Sequence, residues 1–250
     1  MILRSFNNIE LIDYLIIFIL IEVIFIFFYL GFLFLKKAKD KQERIKIYLL
    51  CIAFFLILYG IDRIIFFLHE FLFENFVWSI SPMDFSETLK NDSEKAFIYD
   101  IVWRIGTSIG SAGLLIFLLG FESKILEKKT KFIFSIIQCT TLVLSLIFGT
   151  TADEITIGRL ILYFGLLPAL AIPICYFYLG GKAKGIARKR AIGAGLGFLI
   201  FYLGVAVNST AGKTIFYFIL GGMTGVYLSY IIYCVFVNLG LIIYMKSIQY

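Results

Sequence analysis

The chain has 250 residues, of which 61% are hydrophobic, 18% aromatic and 16% charged, and its mean hydropathy is +0.95. Soluble globular chains are about 45–50% apolar and about 25% charged, so this composition excludes a water-soluble fold and excludes disorder. It predicts an all-α, polytopic membrane protein with a single transmembrane domain over residues 1–250.

Charged or polar segments separate the apolar residues into seven stretches. None alternates apolar and polar residues as the strands of a membrane barrel do. Each is long enough for a helix to cross a hydrocarbon core of about 30 Å, although the fourth and sixth only just reach. We therefore predict seven transmembrane helices, at about 11–35, 45–68, 97–120, 132–149, 155–180, 191–208 and 214–245.

The Lys and Arg residues between these stretches are strongly biased to one side. Segments 36–46, 121–131 and 181–190 carry six, four and five, and the C-terminal tail carries Lys246. The opposite side holds Arg4, Lys90, Lys95 and Lys213. Because basic loops stay in the cytoplasm, we expect the N-terminus outside and the C-terminus inside. A basic inner face opposite anionic lipid accounts for the net charge of +6 without nucleic acid.

Two segments are unusually long. The seventh stretch has 32 uncharged residues, from Thr214 to Met245. A straight helix of that length spans about 48 Å, so it must tilt, kink near Gly221-Gly222 or project beyond the bilayer. Segment 69–96 alternates aromatic and acidic residues, which is typical of an interfacial segment on the outer surface or of a lid.

A weak internal repeat relates the first three stretches to the last three. Phe28-Tyr29-Leu30-Gly31 ends the first, and Phe177-Tyr178-Leu179-Gly180 ends the fifth. Lys-Ala-Lys follows both, and similar short segments rich in aromatic residues come next, at 55–59 and 198–202. These matches predict parallel repeats over 1–120 and 155–250 with the fourth helix as a linker. Parallel repeats are a recurring plan of transporters.

This 3+1+3 layout resembles that of SWEET-type sugar transporters and microbial opsins, at the level of topology only. The resemblance implies a seven-helix bundle with an outside N-terminus. The chain departs from both families, because Pro168 and Pro173 both lie in the fifth stretch with no counterparts in the first, and no lysine lies inside the seventh. A retinal pigment is thereby excluded.

Ionisable residues inside membrane helices are costly and usually face protein or water. We predict that five such residues form a substrate-binding set: Glu22, Arg63, Asp100, Arg104 and Arg159. The three arginines offer fork-shaped donors for a carboxylate or phosphate. Asp100, four residues before Arg104, would orient it. Glu22, nearest the midplane, is the candidate proton or cation site. The alternative is that these charges, with Asp62, form interhelical ion pairs that only fix packing.

Other motifs point to packing rather than chemistry. Flat glycine faces at 106/110, 193/197 and 221/225 predict close helix crossings. Residues 106–110 match G-x-S-x-G, but a membrane helix cannot supply the strand-to-helix elbow, and the single histidine, His69, lies at the outer boundary. The four cysteines form no metal or disulfide pattern. We expect no enzymatic activity, no cofactor and no metal.

The sequence therefore leaves three functional hypotheses. The first is a transporter-like protein of the cell membrane with an outward-facing polar cavity for a small polar or anionic solute. The second is a seven-helix sensor or receptor that signals to a cytoplasmic protein partner. The third is a structural subunit, either in a homo-oligomer or in a larger membrane complex.

Overall fold

The structure is a computed structural model that describes residues 11–72, 93–147, 161 and 164–248, without the side chains of residues 11–13, 69–72, 93–100, 103, 166, 210, 211 and 223. The described residues form helices joined by turns, and none of them is in a strand. The helices are α1 (Leu11–Ala38), α2 (Glu43–Leu72), α3 (Ser93–Gly120, continued by a π-helical turn at Phe121–Ile125), α4 (Ile133–Ile147), α5 (Leu166–Lys182), α6 (Gly185–Val207), α7 (Thr210–Leu220) and α8 (Met223–Ser247).

Five of these helices are long and apolar enough to cross a membrane. They contain the segments Tyr14–Ala38, Glu43–Leu68, Arg104–Ile125, Gly185–Val207 and Thr224–Ser247. Their surfaces carry large apolar side chains. On α1, Phe18 and Phe25 are 68% and 67% exposed. Such faces are unfavourable in water and favourable in lipid. The chain is therefore a multi-pass helical membrane protein.

The helix boundaries broadly follow the predicted stretches. The described part of helix α4 has 15 residues, about 22 Å along its axis. Helix α6 begins at Gly185, so Arg188, Lys189 and Arg190 occupy its first turns rather than the loop in which the sequence analysis placed them. No proline interrupts this basic segment, and the helix runs through it. The beginning of the fifth predicted stretch and most of segment 69–96 lie outside the described residues.

The seventh stretch is broken at its glycine pair. Helix α7 ends at Gly221 with φ of 76°, and Gly222, with φ of 90°, precedes α8. Glycine adopts these left-handed angles without the steric cost of a side chain. The Nζ of Lys213 in α7 lies 2.7 Å from the hydroxyl of Tyr230 in α8, so the two helices run side by side in opposite directions. The predicted kink is therefore found at the expected glycines, but it is a complete reversal of the chain, and the prediction of one helix over 214–245 is wrong.

The described chain divides into two compact units. The first unit comprises Met1–Val23, Leu68–Phe97 and Ile172–Tyr250, and the second comprises Ile24–Phe67 and Ile98–Ala171. In the second unit, α2 packs against both α1 and α3 through glycines. A Cβ added to Gly31 would lie 2.7 Å from Ile57 Cγ1, and one added to Gly120 would lie 2.6 Å from Cys51 Sγ. Close approach of this kind needs small residues.

In the first unit, α6 and α8 cross with their backbones in contact. A Cβ added to Gly197 would lie 2.7 Å from the carbonyl oxygen of Gly240 and 2.6 Å from the amide nitrogen of Tyr244. The predicted glycine faces at 106/110 and 193/197 are confirmed as close crossings. The third, at 221/225, is confirmed only at Gly225, where an added Cβ would clash with the carbonyl oxygen of Phe216 in α7, whereas Gly221 forms the helix break.

Candidate functional site

The deepest predicted acid, Glu22, has a defined set of partners in the first unit. Its carboxylate accepts hydrogen bonds from the amide of Asn238, at 3.0 Å to Oε1 and 3.2 Å to Oε2, and from the thiol of Cys234, at 3.1 Å to Oε2. We call these three residues the Glu22 centre. Glu22 lies on α1, about 12 Å along the helix axis from Tyr14, and its partners lie one turn apart on α8.

All the side chains that hydrogen-bond to Glu22 in the described part of the chain are electrically neutral. The amide of Asn238 points its nitrogen at the carboxylate, and its own Oδ1 is buried and has no hydrogen-bond partner among the described residues. An amide carries both donors and an acceptor, so turning it end for end would present an oxygen to Glu22 instead. The centre can therefore bond Glu22 in its charged form and in its protonated form.

A second carboxylate inside a helix, Asp62, is bound quite differently. It is 2% exposed, and its Oδ2 accepts bonds from Nε and a terminal nitrogen of Arg63 at 3.0 and 2.6 Å. The Arg63 guanidinium also lies over the rings of Tyr59 and Phe66, at 4.9 and 4.8 Å. Asp62 and Arg63 therefore form an ion pair between adjacent residues of α2, which is not one of the interhelical pairs that the alternative hypothesis expects, and that hypothesis stays untested.

The glycine face of α3 provides the space for Asp62. A Cβ on Gly106 would lie 3.4 Å from Asp62 Oδ1, and one on Gly110 would lie 3.1 Å from Asp62 Cγ. A glycine-rich face in a membrane helix lets a neighbour approach closely. Here the neighbour that approaches is a buried acid.

The predicted binding set is described only in part. Glu22 belongs to the first unit, whereas Arg63 and Arg104 belong to the second. Arg104 is half-buried on α3, two residues before Gly106. Asp100 lies on the same helix, but its side chain is outside the described set, and Arg159 is outside the described residues. Their roles as anion contacts, and the pairing of Asp100 with Arg104, stay predictions.

Glu122, which lies in the predicted basic loop 121–131, is fully buried. Its Oε1 accepts bonds from the Thr130 hydroxyl at 2.6 Å and the Phe134 amide at 3.2 Å. Its Oε2 accepts bonds from the amide, at 2.8 Å, and the hydroxyl of Ser135. A carboxylate placed against the first amides of a helix satisfies their unpaired N–H groups and the positive end of the helix dipole. Glu122 thus fixes the start of α4.

The same end of the second unit carries an exposed ion pair beside a shallow depression. Arg44 donates to Glu127 Oε1 and to the carbonyl oxygen of Lys124, both at 2.8 Å. The hydrogen bond and charge of Arg44, with the charge of Lys129, hold the pKa of Glu127 below its ordinary value. The depression has a volume of about 440 Å³ and is lined by Glu43, Arg44, Ser123, Lys124, Glu127 and Lys128.

Neither Cys234 nor Asn238 belongs to the predicted binding set, although both bond to Glu22. The available signal was their spacing of four residues, which puts two polar groups on one face of a membrane helix. The sequence analysis also missed that the cysteines differ: Cys139 is exposed, whereas Cys234 bonds to an acid. Comparison of the chain with protein families, curated proteins and solved structures finds no match in any of the three.

Proposed function

We propose that this chain is a transporter-like protein of the cell membrane that binds a small polar or anionic solute in an outward-facing cavity. The proposal gives the Glu22 centre the task of binding a proton or a monovalent cation during the transport cycle. Arg63, Arg104 and Arg159 are the proposed contacts of an anionic solute, with Asp100 orienting Arg104.

One observation carries the proposal: a carboxylate in the middle of a membrane helix is held by an amide and a thiol, both neutral. An acid kept only for packing is normally matched by a positive group, because an unpaired charge is costly in lipid. Neutral partners allow Glu22 to gain and lose a proton without leaving an opposite charge stranded. Acids that change charge within a membrane are typical of proton-coupled transport.

The test is solute accumulation in proteoliposomes under an imposed proton or Na⁺ gradient. The external solution contains a mixture of radiolabelled carboxylates, amino acids and sugars. We expect at least one labelled solute to accumulate, and we expect collapse of the gradient to abolish its accumulation. The Glu22→Gln variant should lose gradient-driven accumulation while still exchanging external for internal solute, because exchange needs no net change of charge at Glu22.

The matched control is Glu127→Gln, which neutralises an exposed acid and should leave accumulation unchanged. Accumulation by Glu22→Gln at the wild-type level would overturn the role of Glu22. Binding of a solute without any flux would overturn transport and favour the sensor hypothesis. For that alternative, the basic depression beside Arg44 is the surface on which a cytoplasmic partner would dock.

A further inference from the structure

Helix α4 buries four polar side chains and exposes most of its large apolar ones. Every buried residue of the helix is polar: Ser135, Gln138, Thr141 and Ser145. They are only 2–7% exposed, and their spacing of three, three and four residues puts them on one face. We call this face the α4 strip. Large apolar residues cover the opposite face, including Ile136 and Leu146, which are 58% and 56% exposed.

The three hydroxyl groups of the strip already donate their protons to acceptors in the protein. Thr141 donates to the carbonyl oxygen of Gln138 at 2.9 Å, and Ser145 donates to that of Leu142 at 2.8 Å. Ser135 donates to Glu122. A hydroxyl that donates to its own helix keeps its lone pairs, so it still accepts. The strip therefore offers acceptors to whatever faces it.

Gln138, at the centre of the strip, gives an independent indication that a solute binds there. Its side chain is 2% exposed, and its Oε1 has no hydrogen-bond partner among the described residues. A buried acceptor without a donor costs about 1–3 kcal/mol. Small-residue packing alone does not explain this cost, because a nonpolar side chain would avoid it. A bound molecule that donates a hydrogen bond would satisfy Oε1.

We infer that the α4 strip lines a hydrated site for a small solute that donates hydrogen bonds, either a neutral polyol or a protonated amine. The negative charge of Glu122 is taken up by the donors at the start of α4, so the strip selects for donors rather than for charge. This inference rests on the proposed function in its polar-solute form and names the chemistry of that solute; it does not apply to the anionic alternative.

The first test is the reactivity of single cysteines with a charged, membrane-impermeant methanethiosulfonate in proteoliposomes. The four native cysteines are first replaced. Thr141→Cys and Ser145→Cys place a thiol on the strip, and Ile137→Cys and Val143→Cys place one on the apolar face of the same helix as matched controls. Because the reagent attacks a hydrated thiolate, we expect the strip variants to react about tenfold faster or more. Equal rates on the two faces would overturn the hydrated site.

The second test uses three probes to ask what the strip binds. Glycerol or methylammonium should slow the labelling of Thr141→Cys, whereas acetate, which only accepts hydrogen bonds at neutral pH, should not. Protection by glycerol alone identifies a polyol site, and protection by methylammonium alone identifies an amine site. Protection by acetate to the same extent, or by none of the three, would overturn the inference.

Gln138→Leu in the Thr141→Cys background sharpens this result, since it should remove the protection while leaving the thiol reactive. The elution volume and thermal transition of each variant verify its fold, and the Ser145→Cys variant repeats the test at a second position. The labelling does not depend on Glu22. A reactive strip in a protein without Glu22-dependent accumulation would overturn only the proposed transport, whereas accumulation with an unreactive strip would overturn only the inference.

Discussion

Asp62 and Glu22 are both carboxylates inside membrane helices, and they are hydrogen-bonded by different kinds of group. Asp62 is buried against glycines and bonded to the charge of Arg63. Glu22 is half-buried and bonded to an amide and a thiol. Removing one member of an ion pair strands the other in a medium of low polarity. When a carboxylate is bonded only by neutral donors, a change in its own charge leaves no opposite charge unpaired. The comparison distinguishes an acid bonded to an adjacent charge from an acid whose described partners are neutral.

The largest expected effect follows from breaking the ion pair. Asp62→Ala leaves the Arg63 guanidinium without its carboxylate and should lower the free energy of unfolding by about 3 kcal/mol. This is the low end of the range for buried pairs, because the Arg63 side chain is 20% exposed. Detergent-induced unfolding in mixed micelles measures it. The double variant Asp62→Ala/Arg63→Leu should recover part of the loss, and a single variant as stable as the wild type would contradict the pairing.

A smaller effect is expected from filling the space that Asp62 occupies. In Gly110→Val, the new Cβ would lie 3.1 Å from Asp62 Cγ, and crowding of this kind costs about 1–3 kcal/mol. Gly181→Val is the matched control, because a Cβ at Gly181 would have no described atom within 4 Å apart from its chain neighbours and the nearby backbone of its own helix. The same unfolding assay compares the two. Equal losses would show that the glycine face of α3 does not position the acid.

Glu22→Gln should change the free energy of unfolding by less than about 1 kcal/mol, because glutamine still accepts a bond from Asn238. Glu22→Leu, which removes the acceptor altogether, should cost more, since it leaves the buried amide of Asn238 without its acceptor. If Glu22→Gln destabilised the protein as much as Asp62→Ala, the distinction between the two acids would fail.

The smallest effect concerns a carboxylate in water. The pKa of Glu127 is below its ordinary value because Arg44 bonds to it, so its stabilising contribution is present above the pKa of the unfolded chain and is lost as the pH falls through the folded pKa. Arg44→Gln should return the pKa of Glu127 towards its ordinary value. Carbon NMR of labelled glutamate follows this titration, and Lys128→Gln is the control. An unchanged Glu127 pKa in Arg44→Gln would contradict the assigned cause.

Much of the packing could be predicted from local sequence. Gly106 and Gly110 mark a close crossing wherever their helix lies, and Gly221-Gly222 interrupts any helix that is too long for one crossing. The Glu22 centre could not be predicted in the same way, since Glu22 and Asn238 are 216 residues apart and no local rule pairs them. The spacing of the polar residues in α4 is enough to predict that they share one face of the helix. The burial of Gln138, in contrast, depends on neighbours from elsewhere in the chain.

The amino-acid sequence determined that lipid surrounds most of this protein. The hydropathy of each helix is a sum over its own residues, so it can be read without knowing which helices pack together. The sequence also determined which residues would be costly to bury, and it placed Arg63 next to Asp62. The tertiary structure decided that Glu22 bonds to an amide and a thiol of α8, that Glu122 accepts from the first amides of α4, and that glycines of α3 leave space for Asp62. Burial and hydrogen bonding depend on which surfaces meet, and only the assembled helices fix that.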